Sequence, residues 1–409
     1  MKYILYAIPA FFMMISLEVL IDKLKKTGYY RLNDTVTNLS LGIGSQITSI
    51  FLKVLTLGTY HYIYTNYRLI EHIPNTWYLF ILLFLGVDFF YYWFHRLTHE
   101  IGVLWGAHVV HHQSEEYNFS VALRQSWSQA AFSWLFYLPL AFIGFSTETF
   151  IVVAAIQLLY QFWIHTKLIN RMPAAFEYIF NTPSHHRVHH GQNPLYIDRN
   201  HGGTLIVFDR IFGTFQEELE EVVYGITKPA NSWNPLWLNI DYYYDWWHTF
   251  RGAKGISNKL KVFYKAPGWS PETDTIAMFD RENIKKFDTS IAPIFNYYII
   301  FNVVLLLVFS SFFLKLSEEN FFKELLFVRV LICLVVIYFT VSLSAILERK
   351  NWAFFMEIGR LIIFPMSIAC LLQLLQSAFF LPIVFFSVII SILSFAFLVV
   401  NNRAAKRHD

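Results

Sequence analysis

Long apolar runs separated by short polar segments dominate the chain. A membrane-spanning helix needs roughly 20 mostly apolar residues, and nine segments approach that length. We therefore predict an all-α, polytopic integral membrane protein with about nine transmembrane helices. The pair at 128–145 and 148–165 is short, and a hairpin that does not fully cross is an alternative for it. The predicted spans are 3–21, 38–60, 76–94, 128–145, 148–165, 292–315, 324–346, 353–375 and 377–400.

The segment 166–290 is the only long stretch without a predicted span, and we expect it to form a cytosolic helical cap. The sequence then divides into N-terminal membrane helices (1–75), a histidine-rich domain with its cap (76–290) and a C-terminal four-helix membrane region (291–409). Aromatic and basic residues alternate within 241–269. This mixture suits the lipid headgroup layer, although a packed aromatic core with a solvated basic face is an alternative.

Basic residues set the expected orientation, because cytoplasmic loops carry an excess of Lys and Arg. Such residues follow the first and the last predicted spans. We expect nine crossings, with the N-terminus outside and the C-terminus in the cytoplasm. This orientation places the basic residues after the first span, those after the last span, and the cap on the cytoplasmic side. The basic residues concerned are Lys23, Lys25, Lys26, Arg31, Arg403, Lys406 and Arg407.

Composition supports a membrane protein and excludes other classes. The 409 residues are 56% hydrophobic and only 15% charged, whereas soluble domains carry about 25% charged residues. A soluble enzyme, a disordered chain and a disulfide scaffold are therefore excluded. The formal net charge of +3 gives no reason to expect a nucleic-acid partner. Both cysteines, Cys333 and Cys370, lie in apolar runs and do not resemble metal ligands.

Histidines carry the candidate chemistry, because ten of the fifteen lie between His95 and His190. They form the strings HRLTH, HVVHH and HRVHH, in which spacings of three and four place imidazoles on one face of a helix. Imidazole binds zinc, copper, iron and nickel, and one metal ion seldom takes more than four imidazole ligands. Eight ligands and a plausible ninth, His165, fit two metal ions. The candidate ligands are His95, His99, His108, His111, His112, His165, His186, His189 and His190.

Nearby carboxylates are candidates for charge compensation or a proton path, since an all-imidazole set leaves two cations uncompensated. Glu100, Glu115 and Glu116 lie close to the strings, and each is also consistent with an ordinary solvated acid. His185 adjoins a string but faces another direction on a helix, so we expect it to form hydrogen bonds rather than bind metal. Isolated histidines are expected to have no metal role: His61, His72, His248 and His408.

The three strings resemble the histidine boxes of the fatty acid hydroxylase and sterol desaturase superfamily of membrane di-iron enzymes. The segments YNFSVALRQS (117–126), NTPSHHRVHHGQN (181–193) and YIDRNHGGTLIVFDRIFGTF (196–215) resemble its alkylglycerol monooxygenase branch more narrowly. The resemblance covers roughly residues 75–275. Where the superfamily commonly has Asn-Tyr-Gly, this chain has Asn200, His201 and Gly202. His201 is therefore a candidate to alter substrate fit or to add a weak ligand.

The resemblance implies a reaction. Enzymes of that branch use iron, dioxygen and tetrahydrobiopterin to hydroxylate the ether-linked carbon of glyceryl alkyl ethers, which releases a fatty aldehyde. By resemblance, the nine histidines hold two irons. Glu100 and Glu116, from their closeness to the histidine strings, and His201, from its departure from the superfamily pattern, are the catalytic candidates. Dioxygen chemistry needs a redox centre that side chains do not supply. A hydrophobic substrate is expected to enter from the lipid, while oxygen and a reductant arrive from the cytosol.

Two alternatives stay open at the level of sequence. The first keeps the di-iron centre but oxidises a sterol, carotenoid or fatty acyl lipid with electrons from a cytochrome or ferredoxin. The second is a transporter with a histidine-lined path for metal ions or protons. The second is disfavoured because the histidines gather at one membrane boundary, whereas transporter sites lie near the bilayer midplane.

Overall fold

The computed structural model describes residues 2–271, 284–319 and 325–405. Within these ranges the chain is helical, and backbone pairing between extended segments is limited to two isolated bridges, Phe180 with Leu205 and Gly191 with Tyr224. The first half contains α1 (Lys2–Lys25), α2 (Leu32–Tyr67), α3 (Trp77–Glu100), α4 (Gly102–Trp105), α5 (Val109–His112), α6 (Ala130–Ile143) and α7 (Thr147–Trp163).

Five short or medium helices follow, and four long apolar helices end the chain. The former are α8 (Ala174–Ile179), α9 (Pro183–His189), α10 (Val207–Phe212), α11 (Pro235–Gly252) and α12 (Ile256–Tyr264). The latter are α13 (Pro293–Glu318), α14 (Leu326–Leu347), α15 (Ala353–Leu374) and α16 (Phe380–Ala405). The all-α prediction is therefore confirmed for the described residues.

Five helices within the described residues are long and apolar enough to cross a membrane: α3, α13, α14, α15 and most of α16. Helix α2 is bent by 40° and adds a sixth if its two parts form one span. Helices α6 and α7 have 14 and 17 residues, about 21 and 26 Å at 1.5 Å per residue, against a hydrocarbon core of about 30 Å. Their lengths favour the hairpin alternative, and the count of nine spans stays a prediction.

Two compact units make up the chain: Met1–Asn231 with Trp237–Phe287, and Ser232–Leu236 with Asp288–Asp409. In the first unit, apolar side chains of α2, α3, α6 and α7 form one core, in which Tyr60 stacks on Phe150 with ring centroids 4.4 Å apart. The chain reverses between α6 and α7 at Gly144, whose φ of +120° is a conformation that glycine tolerates. This core supports α3, whose last two turns carry His95 and His99.

The second unit contains a buried ion pair inside its apolar helices. Glu357 and Arg360 lie one turn apart on α15, with side-chain atoms 2.7 Å apart. Tyr298 of α13 and Ser342 of α14 donate hydrogen bonds of 2.6 and 2.5 Å to the same carboxylate. A charge in this setting is costly unless it is paired, and the four side chains join three helices.

The aromatic and basic segment forms α11 and α12. Trp246 packs against Phe263 with ring centroids 4.8 Å apart, and its indole nitrogen donates to the carbonyl of Val262 at 3.1 Å. On the same two helices Trp247 and Leu260 are exposed. The segment therefore combines a packed aromatic contact with an exposed apolar face, and its place in the headgroup layer stays a prediction.

Candidate metal centre

All nine candidate histidines of the sequence lie together in two buried groups. In each group, one ring nitrogen per residue lies within 4.8 Å of all the others. The first group contains His95, His99, His108, His112 and His189, and the second contains His111, His165, His186 and His190. Group one and group two denote these sets below.

The two groups divide the sequence strings between them. The pairs at a spacing of four stay together, as with His108 and His112 in group one and His186 and His190 in group two. The residues at a spacing of three, His111 and His189, point into the other group. Our expectation that each string points in one direction was therefore wrong for two strings. The physical reason is that spacings of three and four differ by about 100° around a helix, enough to serve two adjacent centres.

Short nitrogen–nitrogen distances characterise both groups. The Nε2 atoms of His95 and His108 are 2.9 Å apart, and those of His165 and His186 are 3.0 Å apart. Two neighbouring ligands on one ion, each at a metal–nitrogen distance of ~2.1 Å, lie about 3 Å apart. The spacing is therefore compatible with ligands around a shared metal ion.

The outer ring nitrogens fix the tautomers. His111 Nδ1 donates to the carbonyl of Arg124 at 2.8 Å, and His165 Nδ1 donates to the carbonyl of Gln161 at 2.8 Å. A carbonyl oxygen only accepts, so the proton of each neutral ring is on Nδ1. The Nε2 lone pairs of His111 and His165 then face each other at 3.2 Å. Two acceptors at this distance repel unless a cation lies between them.

Burial keeps these imidazoles in the neutral form that binds a metal. It lowers the pKa of His111 to about 4 and moves the pKa of His112, His186 and His190 well below the usual value. The charges of neighbouring histidines lower the pKa of the last three further. Each of these rings is therefore uncharged at pH 7 and able to bind a cation.

Two buried carboxylates hold the loop that supports His95. Asp88 accepts hydrogen bonds from the backbone N–H groups of Thr204 and Leu205 at 2.9 and 2.8 Å. Asp209 accepts from the N–H groups of His201 and Gly202, both at 2.7 Å. Burial raises the pKa of Asp209 to about 6, although these N–H groups and the hydroxyl of Thr214 oppose the rise.

A buried guanidinium supports the segment around His111. Arg124 donates from Nε to the carbonyl of Val110 at 2.6 Å and from Nη1 to Asn38 Oδ1 at 2.9 Å. Burial lowers the pKa of Arg124 to about 10, so the side chain remains charged at pH 7. Its backbone carbonyl receives the His111 hydrogen bond, and the position of this ligand therefore depends on the Arg124 contacts.

A third buried carboxylate joins α1 to the centre. Glu18 accepts hydrogen bonds from the hydroxyls of Tyr30 and Thr166, both at 2.5 Å, and from the N–H of Phe119 at 2.7 Å. Thr166 directly follows the ligand candidate His165. Sequence reasoning missed Glu18, Asp88, Asp209 and Arg124, and the only available signal was a charged residue within or beside an apolar run.

The predicted carboxylates do not join either group. Glu100 is paired with Arg96 at 2.8 Å, and Glu115 with Arg31 at 3.2 Å. Glu116 contacts Arg31 at 2.6 Å and Lys286 at 2.7 Å. Within the described residues their charges are thus balanced by basic side chains, and groups one and two consist of imidazoles.

His201 lies beside group one. Its ring centroid is 5.0 Å from that of His99 and 5.6 Å from that of His189. The residue is fully buried, and neither ring nitrogen has a hydrogen-bond partner within the described part of the chain. Burial and the nearby His99 move the pKa of His201 well below its usual value. A neutral imidazole with two free nitrogens therefore borders the centre.

The other histidines lie outside both groups. His185 contacts Phe215 with ring centroids 5.4 Å apart, and its Nδ1 has no hydrogen-bond partner among the described residues. His61 contacts the hydroxyl of Thr147, and His248 contacts the ring of Tyr244. His72 lines an apolar groove. His408 is outside the described residues.

Comparisons with known proteins agree with this site. Residues 80–214, which contain all nine histidines, match the fatty acid hydroxylase family. An alkylglycerol monooxygenase of Xenopus tropicalis is 48% identical over 272 residues, which are 66% of this chain and 60% of that protein. The human and zebrafish (Danio rerio) alkylglycerol monooxygenases are each 39% identical. These alignments cover 89% and 88% of this chain, and 82% and 81% of the relatives. No solved structure matches the chain.

The apolar helices and the buried histidine groups define a membrane monooxygenase of the fatty acid hydroxylase type, with a centre suited to metal ions. The similarity to the human and zebrafish proteins extends over four fifths of their length. The chain belongs to the alkylglycerol monooxygenase family, and the resemblance found in its sequence is confirmed.

Proposed function

We propose that the two histidine groups hold two iron ions, and that the chain hydroxylates the ether-linked carbon of glyceryl alkyl ethers. One atom of dioxygen enters the carbon–hydrogen bond, and the other leaves as water after two electrons and two protons are supplied. The hemiacetal then breaks its carbon–oxygen bond to give a fatty aldehyde and a free glycerol hydroxyl. Tetrahydrobiopterin is the proposed electron donor.

The observation that carries the metal assignment is the contact between His111 and His165. Both rings carry their proton on Nδ1, so two Nε2 lone pairs meet at 3.2 Å. A divalent cation removes this repulsion. Iron is the proposed ion because bound iron exchanges electrons and activates dioxygen, which zinc does not do.

The surrounding residues hold the ligands in place. The carbonyls of His201 and Arg124 accept the outer protons of His95 and His111 at 2.7 and 2.8 Å. Such bonds fix the tautomer and the orientation of a ligating ring. We further propose that His201, which borders group one with two free nitrogens, contacts the substrate near the reacting carbon or serves as a weak ligand.

The arrangement in the membrane is also part of the proposal. His95 and His99 end α3, so the centre lies at one boundary of the bilayer, which we propose to be the cytoplasmic one. The lipid substrate then arrives laterally, and protons arrive from the cytosol. Glu100 and Glu116 lie in ion pairs outside the groups and remain candidates for a proton path. The cytosolic cap belongs to the same proposal, and the count of nine spans stays a prediction because α6 and α7 are shorter than the hydrocarbon core.

The test is oxidation of 1-O-hexadecylglycerol by detergent-purified, iron-loaded protein with tetrahydrobiopterin and oxygen. Release of hexadecanal that requires both pterin and oxygen, and that His189→Ala abolishes, supports the proposal. Oxidation of sterols, carotenoids or acyl lipids with a ferredoxin or cytochrome donor, without aldehyde from ethers, would establish the other hydroxylase function instead. No oxidation of any of these lipids would overturn both.

A further inference from the structure

A deep apolar groove lies beside α3 in the first unit. Its volume is about 880 Å³, within the range of ligand-binding clefts. One wall is α3 from Leu79 to Phe90, and others come from the end of α6 at Leu140 and Ile143 and from Phe208 of α10. The groove is therefore enclosed on more than one side and is not simply the outer surface of one helix.

The groove offers no polar contact along most of its length. Its walls are aliphatic and aromatic side chains, apart from Gly86 and from His72 at one end. A sterol hydroxyl or an ester group would lose its hydrogen bonds to water in this groove, which is unfavourable. An unbranched methylene chain has no polar group to satisfy and matches this lining.

One end of the groove lies close to group one. Phe208 in its wall contacts Tyr92 with ring centroids 6.1 Å apart, and Tyr92 contacts His201 at 6.3 Å. His201 in turn contacts His95 at 5.7 Å. Two rings in series, Tyr92 and then His201, therefore lie between the inner end of the groove and the first histidine group.

The opposite end lies near the start of α3. His72 and Pro74 border both the groove and a neighbouring cavity that also contains Glu71 and Glu148. Charged groups of this kind indicate the water-facing end of the helix. The groove thus runs from beside the histidine groups through the apolar length of α3, and Leu82 lies 13 residues before His95, about 20 Å along the axis.

We propose that this groove binds the alkyl chain of the ether substrate, with the ether carbon toward the histidine groups and the terminal methyl toward Pro74. The proposal rests on the proposed function and deepens it, because it makes the groove the part of the enzyme that selects chain length. Long chains reach Leu82, and short chains end before it.

The first test is the Leu82→Trp variant with 1-O-alkylglycerols of ten to eighteen carbons. The larger indole side chain fills the outer part of the groove, so kcat/KM for the octadecyl ether falls at least about tenfold, the size that lost hydrophobic contacts produce. The decyl ether changes less than about twofold. Leu135→Trp on α6 is the matched control, because Leu135 and Leu82 are 50% and 54% exposed and only Leu82 lines the groove. Equal effects on all chain lengths, or equal effects of both variants, would overturn the proposal.

The second test measures occupancy without turnover. A Leu82→Cys variant in a Cys333→Ser, Cys370→Ser background is labelled with a maleimide in the presence and absence of 1-O-octadecylglycerol. The ether is expected to slow labelling at least about fivefold, but not in the matched Leu135→Cys variant. Protection of the Leu82→Cys variant from labelling, without aldehyde release by the parent protein, would support alkyl-chain binding in the groove and contradict the proposed function. Aldehyde release without protection would retain the function and contradict the groove.

Discussion

The backbone carbonyl of His201 accepts a 2.7 Å hydrogen bond from Nδ1 of His95. The same residue is held from its other side, because its N–H donates to the Asp209 carboxylate at 2.7 Å. A ligand of group one is thus oriented by a loop that a buried carboxylate keeps in place. This chain of contacts connects a residue on α10 to the candidate metal centre.

Asp209→Asn is expected to weaken metal binding in group one. The amide oxygen does not replace both carboxylate oxygens, so the N–H of His201 or Gly202 loses a partner and the support of His95 loosens. Losing such a supporting contact costs about 10–100-fold in metal affinity. Iron titration followed by a chelator should show one weakened site and one unchanged site.

Asp245→Asn is the control for that experiment, because Asp245 forms a surface ion pair with Lys228 and exposed pairs contribute little. Unchanged iron affinity in Asp209→Asn, or equal loss at both sites, would show that the loop does not orient His95.

Single ligand substitutions should empty one group at a time. His189→Ala removes a ligand of group one and His111→Ala removes a ligand of group two, so each variant is expected to hold about one iron per chain and to lose turnover. Metal analysis with a spectroscopic measurement of the remaining iron distinguishes the two. His248→Ala should leave metal and turnover nearly unchanged. Two irons and full turnover in either ligand variant would refute the grouping.

Metal-free protein should become less stable as the pH falls from about 6.5 toward 4. The pKa of buried His111 is about 4 in the folded chain and about 6.5 when unfolded. Between these values the unfolded chain binds more protons, so the free energy of unfolding decreases with decreasing pH. The Tm of iron-depleted protein, measured between pH 7.5 and 5, is expected to fall; a constant Tm across this range is the contrary result.

The buried ion pair of Glu357 and Arg360 in the second unit should be energetically coupled. Glu357→Gln alone leaves Arg360 as a buried cation without a full counter-charge. Arg360→Met alone leaves Glu357 as a buried anion without its counter-charge. Each is expected to cost about 3–5 kcal/mol of unfolding free energy. The double variant should recover part of this loss. Denaturant unfolding in detergent measures the three variants, and strictly additive losses would contradict the coupling.

The sequence was informative about the ligands because helical spacing is a local property. Spacings of three and four within short strings placed the candidate histidines together, and the structure joins all nine. The spacing did not show that His111 and His189 enter the opposite groups. Their offset of about 100° from the pairs at a spacing of four is local, but the group that each ring enters depends on how α5 and α9 are oriented against each other. The distance along the chain also made Glu100 and Glu116 look like partners of the centre, although Arg96 and Arg31 engage them.

The supporting residues were not predictable in the same way. Asp88, Asp209 and Arg124 stand alone in sequence, and their partners are backbone groups more than a few residues away or on other elements. Hydropathy likewise located the apolar segments but not their geometry. It counted α6 and α7 as spans, whereas their lengths are below that of the hydrocarbon core.

The most direct measurement is the metal content of detergent-purified protein after reconstitution with ferrous iron. The two groups predict about two irons per chain, close enough to interact magnetically, since their histidines are adjacent in sequence and in space. Protein that is folded but binds no iron, even after reconstitution, would contradict the central claim that these buried imidazoles form a di-metal centre.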